Sequence, residues 1–298
     1  MKPTAWVFPG QGSQESGMEA DLGEVPAAQD RFKTAERVLG WSVPAVCGGD
    51  RQQLSQTRYT QPCLYTIECV LVDRLCERVP SPALVAGHSL GEYVALYAAG
   101  ALDFETGLRL VAQRAALMDA AQGGKMVALM KFEREQLEAQ LAATPDAVLA
   151  NDNSPAQAVI SGKPEAVDAV VERVGAKRAI PLEVSGAFHS PLMAEAARSF
   201  AQVLDAVTLA DARMPVLPNA DPRPITDGTT LKACLRQQMT APVRWRETVL
   251  QLRDSGIERV IEVGPGKVLQ GLIGKTCAPI AATGASSAVQ IDALAAAA

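Results

Sequence analysis

The sequence predicts an α/β protein: a large domain on a parallel sheet, residues 1–123 and 186–298, carrying a small α+β domain over 124–185. Three observations point there. Short apolar strands alternate with helical stretches up to about Gly123. Between Met126 and Val184 the order becomes strand, helix, strand, strand, helix, strand. A Gly-rich turn, Gly87-His88-Ser89-Leu90-Gly91, joins a short apolar run to an Ala-rich helical one.

Ala5–Phe8 reads as the first strand and Pro62–Arg78 as a helix. Ala83–Ala86 is a second strand leading into the Gly-rich turn, and helical sequence then runs to Ala99 with a stop at Gly100. Thr106–Ala121 is a further helix. This alternation implies parallel strands with helices on both faces. Next come a strand at Met126–Met130, a helix at Glu133–Ala143, and strands at Val148–Ala150 and Ala158–Ser161 split by a turn at Asn151-Asp152-Asn153-Ser154-Pro155. A helix at Pro164–Val174 and a strand at Arg178–Val184 complete βαββαβ, the ferredoxin-like arrangement. From Pro191 helix, strand and helix return, and Val260–Val263 is the last clear strand, ending in Gly264-Pro265-Gly266. The Ala- and Ser-rich tail from Ala281 to Ala298 reads as having a loose end.

A chain of 298 residues, 48% of them apolar, can build one large core with a smaller insert. Its net charge of −5, with no long Lys/Arg run, argues against nucleic acid and anionic membranes as partners. The first apolar stretch is too short for a signal-peptide core, and the longest, Tyr93 to Leu102, cannot span a bilayer, so a cytosol-like compartment is expected. Cys47, Cys63, Cys69, Cys76, Cys234 and Cys277 form no CxxC pair and read as buried or half-buried thiols.

In the Gly-rich turn the two glycines allow a sharp bend and keep bulk away from Ser89, whose hydroxyl is pushed out at the carboxyl end of the strand. The N–H of Leu90 and the helix N-terminus then face developing negative charge. A serine nucleophile needs a base, and only two histidines exist. His88 lies inside the turn, pointing away from its neighbour. That leaves His189, on the loop where the insert hands back to the large domain. Gly10-Gln11-Gly12-Ser13-Gln14 follows the first strand; there the N–H of Gln11 is a second oxyanion donor, or the loop is simply a tight turn. It lacks the third glycine of a nucleotide-binding G-x-G-x-x-G. Arg114 has Leu110, Val111, Leu117 and Met118 at i−4, i−3, i+3 and i+4, so it sits on an apolar helix face and needs an anion. An internal Glu or Asp supplies it, which composition favours, or a substrate carboxylate does.

Together these residues resemble the malonyl-CoA:acyl carrier protein transacylase family. The similarity runs from Phe8-Pro9-Gly10-Gln11-Gly12-Ser13-Gln14 to Glu262-Val263-Gly264-Pro265-Gly266-Lys267-Val268-Leu269. It includes Thr60-Gln61-Pro62, Gly87-His88-Ser89-Leu90-Gly91-Glu92, the Asn151-to-Pro155 segment and Gly186-Ala187-Phe188-His189-Ser190-Pro191-Leu192-Met193. The chain is similar to the fatty-acid-synthesis enzymes of bacteria, cyanobacteria among them. The resemblance implies an α/β-hydrolase-like large domain with Ser89 as nucleophile, His189 as base, and the N–H groups of Gln11 and Leu90 as the oxyanion hole. It implies that Arg114 binds the malonyl carboxylate, reversing the ion-pair preference, and that Met118 lines the acyl pocket. In this family a main-chain carbonyl orients the histidine, a position that falls on Gln238. Phe188 is similar to the pattern that goes with malonyl rather than branched extender units. The implied substrates are malonyl-CoA, a coenzyme A thioester, and phosphopantetheinylated acyl carrier protein, handled by a cytoplasmic monomer with no bound cofactor or metal.

Two positions depart from the family pattern: Ala241 where many relatives carry Asn, and Ala220 after Asn219 where Asn-Val is commoner. The competing readings are a serine hydrolase or thioesterase with an acid behind the histidine, a stand-alone acyltransferase serving a polyketide synthase, and a carrier-binding module with a dead site. Carrier proteins of this kind are acidic, which makes Arg244, Arg246, Lys267 and Lys275 candidates for a basic docking patch, or ordinary solvated charges.

Overall fold

The computed structural model describes residues 2–23 and 25–296. In chain order the elements begin β1 (Thr4–Phe8), α1 (Pro26–Leu39), α2 (Val43–Cys47), α3 (Arg51–Leu54), α4 (Thr57–Arg78), β2 (Leu84–Gly87), α5 (Gly91–Ala98) and α6 (Phe104–Ala120). A second group follows: β3 (Lys125–Met130), α7 (Arg134–Ala142), β4 (Ala147–Ser154), β5 (Gln157–Gly162), α8 (Pro164–Val174) and β6 (Arg178–Pro181). The chain closes, after a 3-10 turn at Pro191–Met193, with α9 (Ala194–Asp205), β7 (Val216–Leu217), α10 (Gly228–Gln238), α11 (Trp245–Asp254), β8 (Arg259–Val263), α12 (Val268–Thr276), β9 (Ala281–Ala285) and α13 (Ala288–Ala296).

Five strands form one sheet in the order β7-β2-β1-β8-β9, with every pairing parallel. Parallel strands need both faces covered, and β1 shows how the sequence supplies this. Trp6 and Phe8 pack into the core under α4, α5 and α6, while Ala5 and Val7 face the core shared with α11 and α12. The register sets Phe8 beside Gly87 and Val7 beside Glu262, so the loops after β1, β2 and β8 emerge at one carboxyl edge. Ligands gather at such an edge in open α/β sheets.

The other four strands form an antiparallel sheet, β4-β5-β3-β6. Val127 and Leu129 of β3 pack with Ile160, Val167 and Val170, while Met126 and Ala128, one residue out of phase, join the main core on the opposite face. A bridge between Asn151 and Val243, with Asp152 N–H donating to Val243 O at 2.9 Å, ties this sheet to the loop before α11.

Several sequence-based boundaries shift. Helix α4 starts at Thr57, not Pro62; the hydrogen bond that Pro62 cannot make falls on exposed Arg58, so the proline is tolerated inside the helix. The polar run Asn151–Ser154 is strand rather than turn, and the chain reverses at Pro155-Ala156. Its polar side chains have partners off the strand, among them Arg134 and Arg246 on Asp152. Strand β6 ends at Pro181, three residues before the expected Val184; the Leu182 N–H still donates to Met126 O at 2.9 Å, and the chain then turns, the Val184 N–H donating to Leu182 O at 3.0 Å. The expected loose tail is instead β9 and α13, with Ile291 buried and Asp292 paired to Arg74 at 3.0 Å; Ala297 and Ala298 lie outside the described residues. Among the described residues no helix is long and apolar enough to cross a membrane.

Candidate active site

Ser89 sits in the bend between β2 and α5 with φ 51°, a left-handed conformation rare for a side-chain-bearing residue. Its flanking glycines are obligatory. A Cβ on Gly87 would lie 1.9 Å from the carbonyl carbon of Gly91, and one on Gly91 would lie 2.1 Å from Phe8 O. The bend is pinned by the Ser89 N–H donating to Asn219 Oδ1 at 2.7 Å. His88 turns away from Ser89, its ring against Trp245 and its Nε2 2.8 Å from Asn153 Oδ1.

His189 is also left-handed, φ 57°, just before the 3-10 turn that Ser190 caps by accepting from Leu192 N–H. Its Nε2 is 2.8 Å from Ser89 Oγ. Its Nδ1 is 2.9 Å from Gln238 O and 3.2 Å from Ala241 O. Carbonyl oxygens only accept, so Nδ1 carries the proton and Nε2 is free to accept from the serine hydroxyl. Burial, then the Arg114 charge, pushes the imidazole down to about 3, with the Gln238 carbonyl pulling the other way. At neutral pH His189 is therefore a neutral base.

Arg114 is fully buried. Its Nη1 donates to Gln61 Oε1 at 2.8 Å, its Nη2 donates to Ser89 Oγ and Gln238 Oε1, each at 3.0 Å, and its guanidinium lies over the Tyr93 ring. All three acceptors are neutral oxygens, so the internal ion pair that composition favoured is not what holds it. Burial lowers its pKa, and the cation lies one layer behind the serine hydroxyl.

A cleft of about 210 Å³ opens over these groups, lined by Gln11, Ser89, Met118, Phe188, His189 and Val159 among others. Gln11 Nε2 donates to Thr57 Oγ1, and a Cβ on Gly10 would lie 2.4 Å from His88 O, so the β1 loop rests directly on the serine bend. Among the described residues the N–H groups of Gln11 and Leu90 have no protein acceptor, and Leu90 caps α5 at its positive end. Two proposed docking residues are already engaged: Arg244 with Glu247 and Ala220 O, Arg246 with Asp152. Lys267 and Lys275 are exposed. Among the described residues no group of three or more His, Cys, Asp or Glu could hold a metal ion.

The structure thus sets Ser89, His189, Gln11, Met118 and Phe188 on the wall of one cleft, while Arg114, Leu90 and Gln238 lie buried beneath it, Arg114 and Gln238 bonded to the cleft residues Ser89 and His189. Sequence reasoning gave no role to Asn219, to Gln61, to the Gln238 side chain or to the Ala241 carbonyl, because only folding brings those loops together. It also passed over Glu92, whose neighbours at i−4 and i−3 are the polar His88 and Ser89, so the test applied to Arg114 does not single it out. Glu92 is 2% exposed, and burial pushes its carboxyl up to about 7 against the pull of Gln238, Asn219 and Arg114.

Comparison with known proteins gives a consistent picture. A family model described as an acyl transferase domain matches residues 5–292. A malonyl CoA-acyl carrier protein transacylase of Synechocystis is 55% identical over 274 residues, covering 92% of this chain and 94% of that protein. The crystal structure of a Synechocystis malonyl-CoA:ACP transacylase superposes with a TM-score of 0.96 at 52% identity, covering 98% of this chain and 100% of the other. A malonyl-transacylase solved in complex with its type II polyketide acyl carrier protein gives 0.92 at 36% identity, covering 97% of each chain.

Proposed function

The chain belongs to the acyl transferase family, and from that membership we propose that it moves a malonyl group from malonyl-CoA to the phosphopantetheine thiol of acyl carrier protein, through an ester on Ser89, for fatty acid synthesis. One observation carries the residue roles: a single oxygen, Ser89 Oγ, lies 2.8 Å from a base nitrogen and 3.0 Å from a guanidinium.

His189 takes the serine proton as Oγ attacks the thioester carbonyl. The oxyanion is stabilised by the N–H groups of Gln11 and Leu90. The imidazolium then protonates the departing coenzyme A thiolate. In the second half His189 accepts the carrier thiol's proton as its sulfur attacks the ester, and returns a proton to Ser89 as the malonyl thioester leaves. The carbonyls of Gln238 and Ala241, not a carboxylate, keep Nδ1–H fixed throughout. Arg114 exchanges neutral acceptors for the malonyl carboxylate, a stronger charge-assisted partner. Met118 and Phe188 confine the short acyl chain.

No step requires a metal or redox cofactor. The reading treats residues 124–185 as a small ferredoxin-like domain inserted in an α/β-hydrolase-like one over 1–123 and 186–298. The strand order β4-β5-β3-β6 and the strained serine bend support it. It also places the enzyme in the cytoplasm, where the six free cysteines are at home, and assigns it the monomeric state.

The test is malonyl-CoA with and without holo acyl carrier protein. Coenzyme A release should stop at one equivalent without carrier and turn over with it, malonyl appearing on the carrier. Continuous release of free malonate without carrier would favour a hydrolase instead.

A further inference from the structure

The transfer as described gives no task to Glu92, a fully enclosed acid three residues after the nucleophile. Its Oε2 accepts from the Gln238 side-chain Nε2 at 2.8 Å and from the Asn219 backbone N–H at 3.0 Å. Each of those residues holds a reacting group. Asn219 fixes the Ser89 backbone, and its Nδ2 also donates to Gly87 O. Gln238 places its own carbonyl on His189 Nδ1, accepts from Arg114 through Oε1, and donates to Ser89 O at 2.9 Å.

We propose that Glu92 is a positioning residue for malonyl transfer, holding Gln238 and Asn219 so that Ser89, His189 and Arg114 converge on one oxygen; this rests on the acyl-transfer reading above. A side-chain amide can present either end to a neighbour. With Nε2 held by Glu92, Oε1 must face Arg114; a flip would set N–H against guanidinium and C=O against the carboxylate. An acceptor at position 92 therefore joins Ser89 O in setting which end of the amide meets Arg114. An apolar residue there leaves the Asn219 N–H with no partner from this side chain and leaves Ser89 O as the one remaining acceptor for Gln238 Nε2.

An acetyl group lacks the carboxylate that Arg114 would bind, so selectivity separates positioning of the guanidinium from mere support. In Glu92→Leu the ratio of kcat/KM for malonyl-CoA to that for acetyl-CoA should fall by at least about tenfold. Glu92→Gln, which keeps an acceptor oxygen, should rescue the ratio to within about threefold of the native enzyme. If Glu92→Leu does not fold, Gln238→Met, which removes the amide but keeps the backbone carbonyl, must show the same fall. A ratio unchanged in the folded apolar variant, or lost equally in Glu92→Gln, overturns the proposal. Absence of a malonyl ester on the native enzyme would instead remove the acyl-transfer reading beneath it.

Discussion

The two sheets bury different chemistry. At the carboxyl edge of the parallel sheet, Glu92, Arg114, His189, Asn219 and Gln238 are all less than a tenth exposed and joined by hydrogen bonds. The four-stranded sheet buries Val127, Leu129, Ile160, Val167 and Val170 in an apolar core and presents Met126, Ala128 and Val159 to the shared face. A buried polar group left unpaired costs about 1–3 kcal/mol, so a dense paired network marks where chemistry requires it. The first region handles charge and protons; the second is an apolar wall except along β4, where buried Asp152 pairs with Arg134 and Arg246 and Asn153 meets His88.

Substitutions should sort along that divide. The largest effect is expected at Ser89→Ala or His189→Ala, each lowering malonyl transfer by at least about 10³-fold while melting temperature changes little. Steady-state rates and calorimetry check this pair. Arg114→Ala should lose roughly ten- to a hundredfold on malonyl-CoA and gain relative activity on acetyl-CoA, since a charged hydrogen bond is worth about 1.5–3 kcal/mol. Unchanged malonyl preference would detach Arg114 from the site.

The pH dependence sharpens the contrast. With the imidazole held near 3, the acid limb of kcat/KM should fall well below pH 6.5, the ordinary histidine value. Between those values the unfolded chain binds the proton that buried His189 refuses, so this group's contribution to stability is lost as pH falls. Glu92 runs the other way: raised from 4.5 to about 7, it lowers stability as pH rises through that window. Smallest in activity is Ile160→Ala in the second sheet. It should cost about 2–5 kcal/mol in urea unfolding, yet leave turnover of the folded enzyme within about twofold.

Legibility in the sequence followed the same divide. Pro164–Val174 was readable to the residue because its proline start, apolar period and Gly175 stop all agree. The Asn151–Ser154 strand was not, since polar composition signals a turn unless one knows that Arg134, Arg246 and His88 approach from elsewhere. Within the site, Ser89 and Arg114 announce themselves through local pattern: a glycine-flanked bend and a charge on an apolar helix face. The neutral partners of Arg114 do not. Gln61, Gln238 and Ser89 lie far apart in sequence and meet only because β2, α4 and the end of α10 share one edge.

The most direct measurement is intact and peptide mass spectrometry after brief mixing with malonyl-CoA. A single malonyl ester should appear, map to Ser89, be absent from Ser89→Ala and His189→Ala, and vanish when holo acyl carrier protein is added. An adduct on any other residue, or carrier loading that proceeds at native rate in Ser89→Ala, would contradict acyl transfer through this hydroxyl.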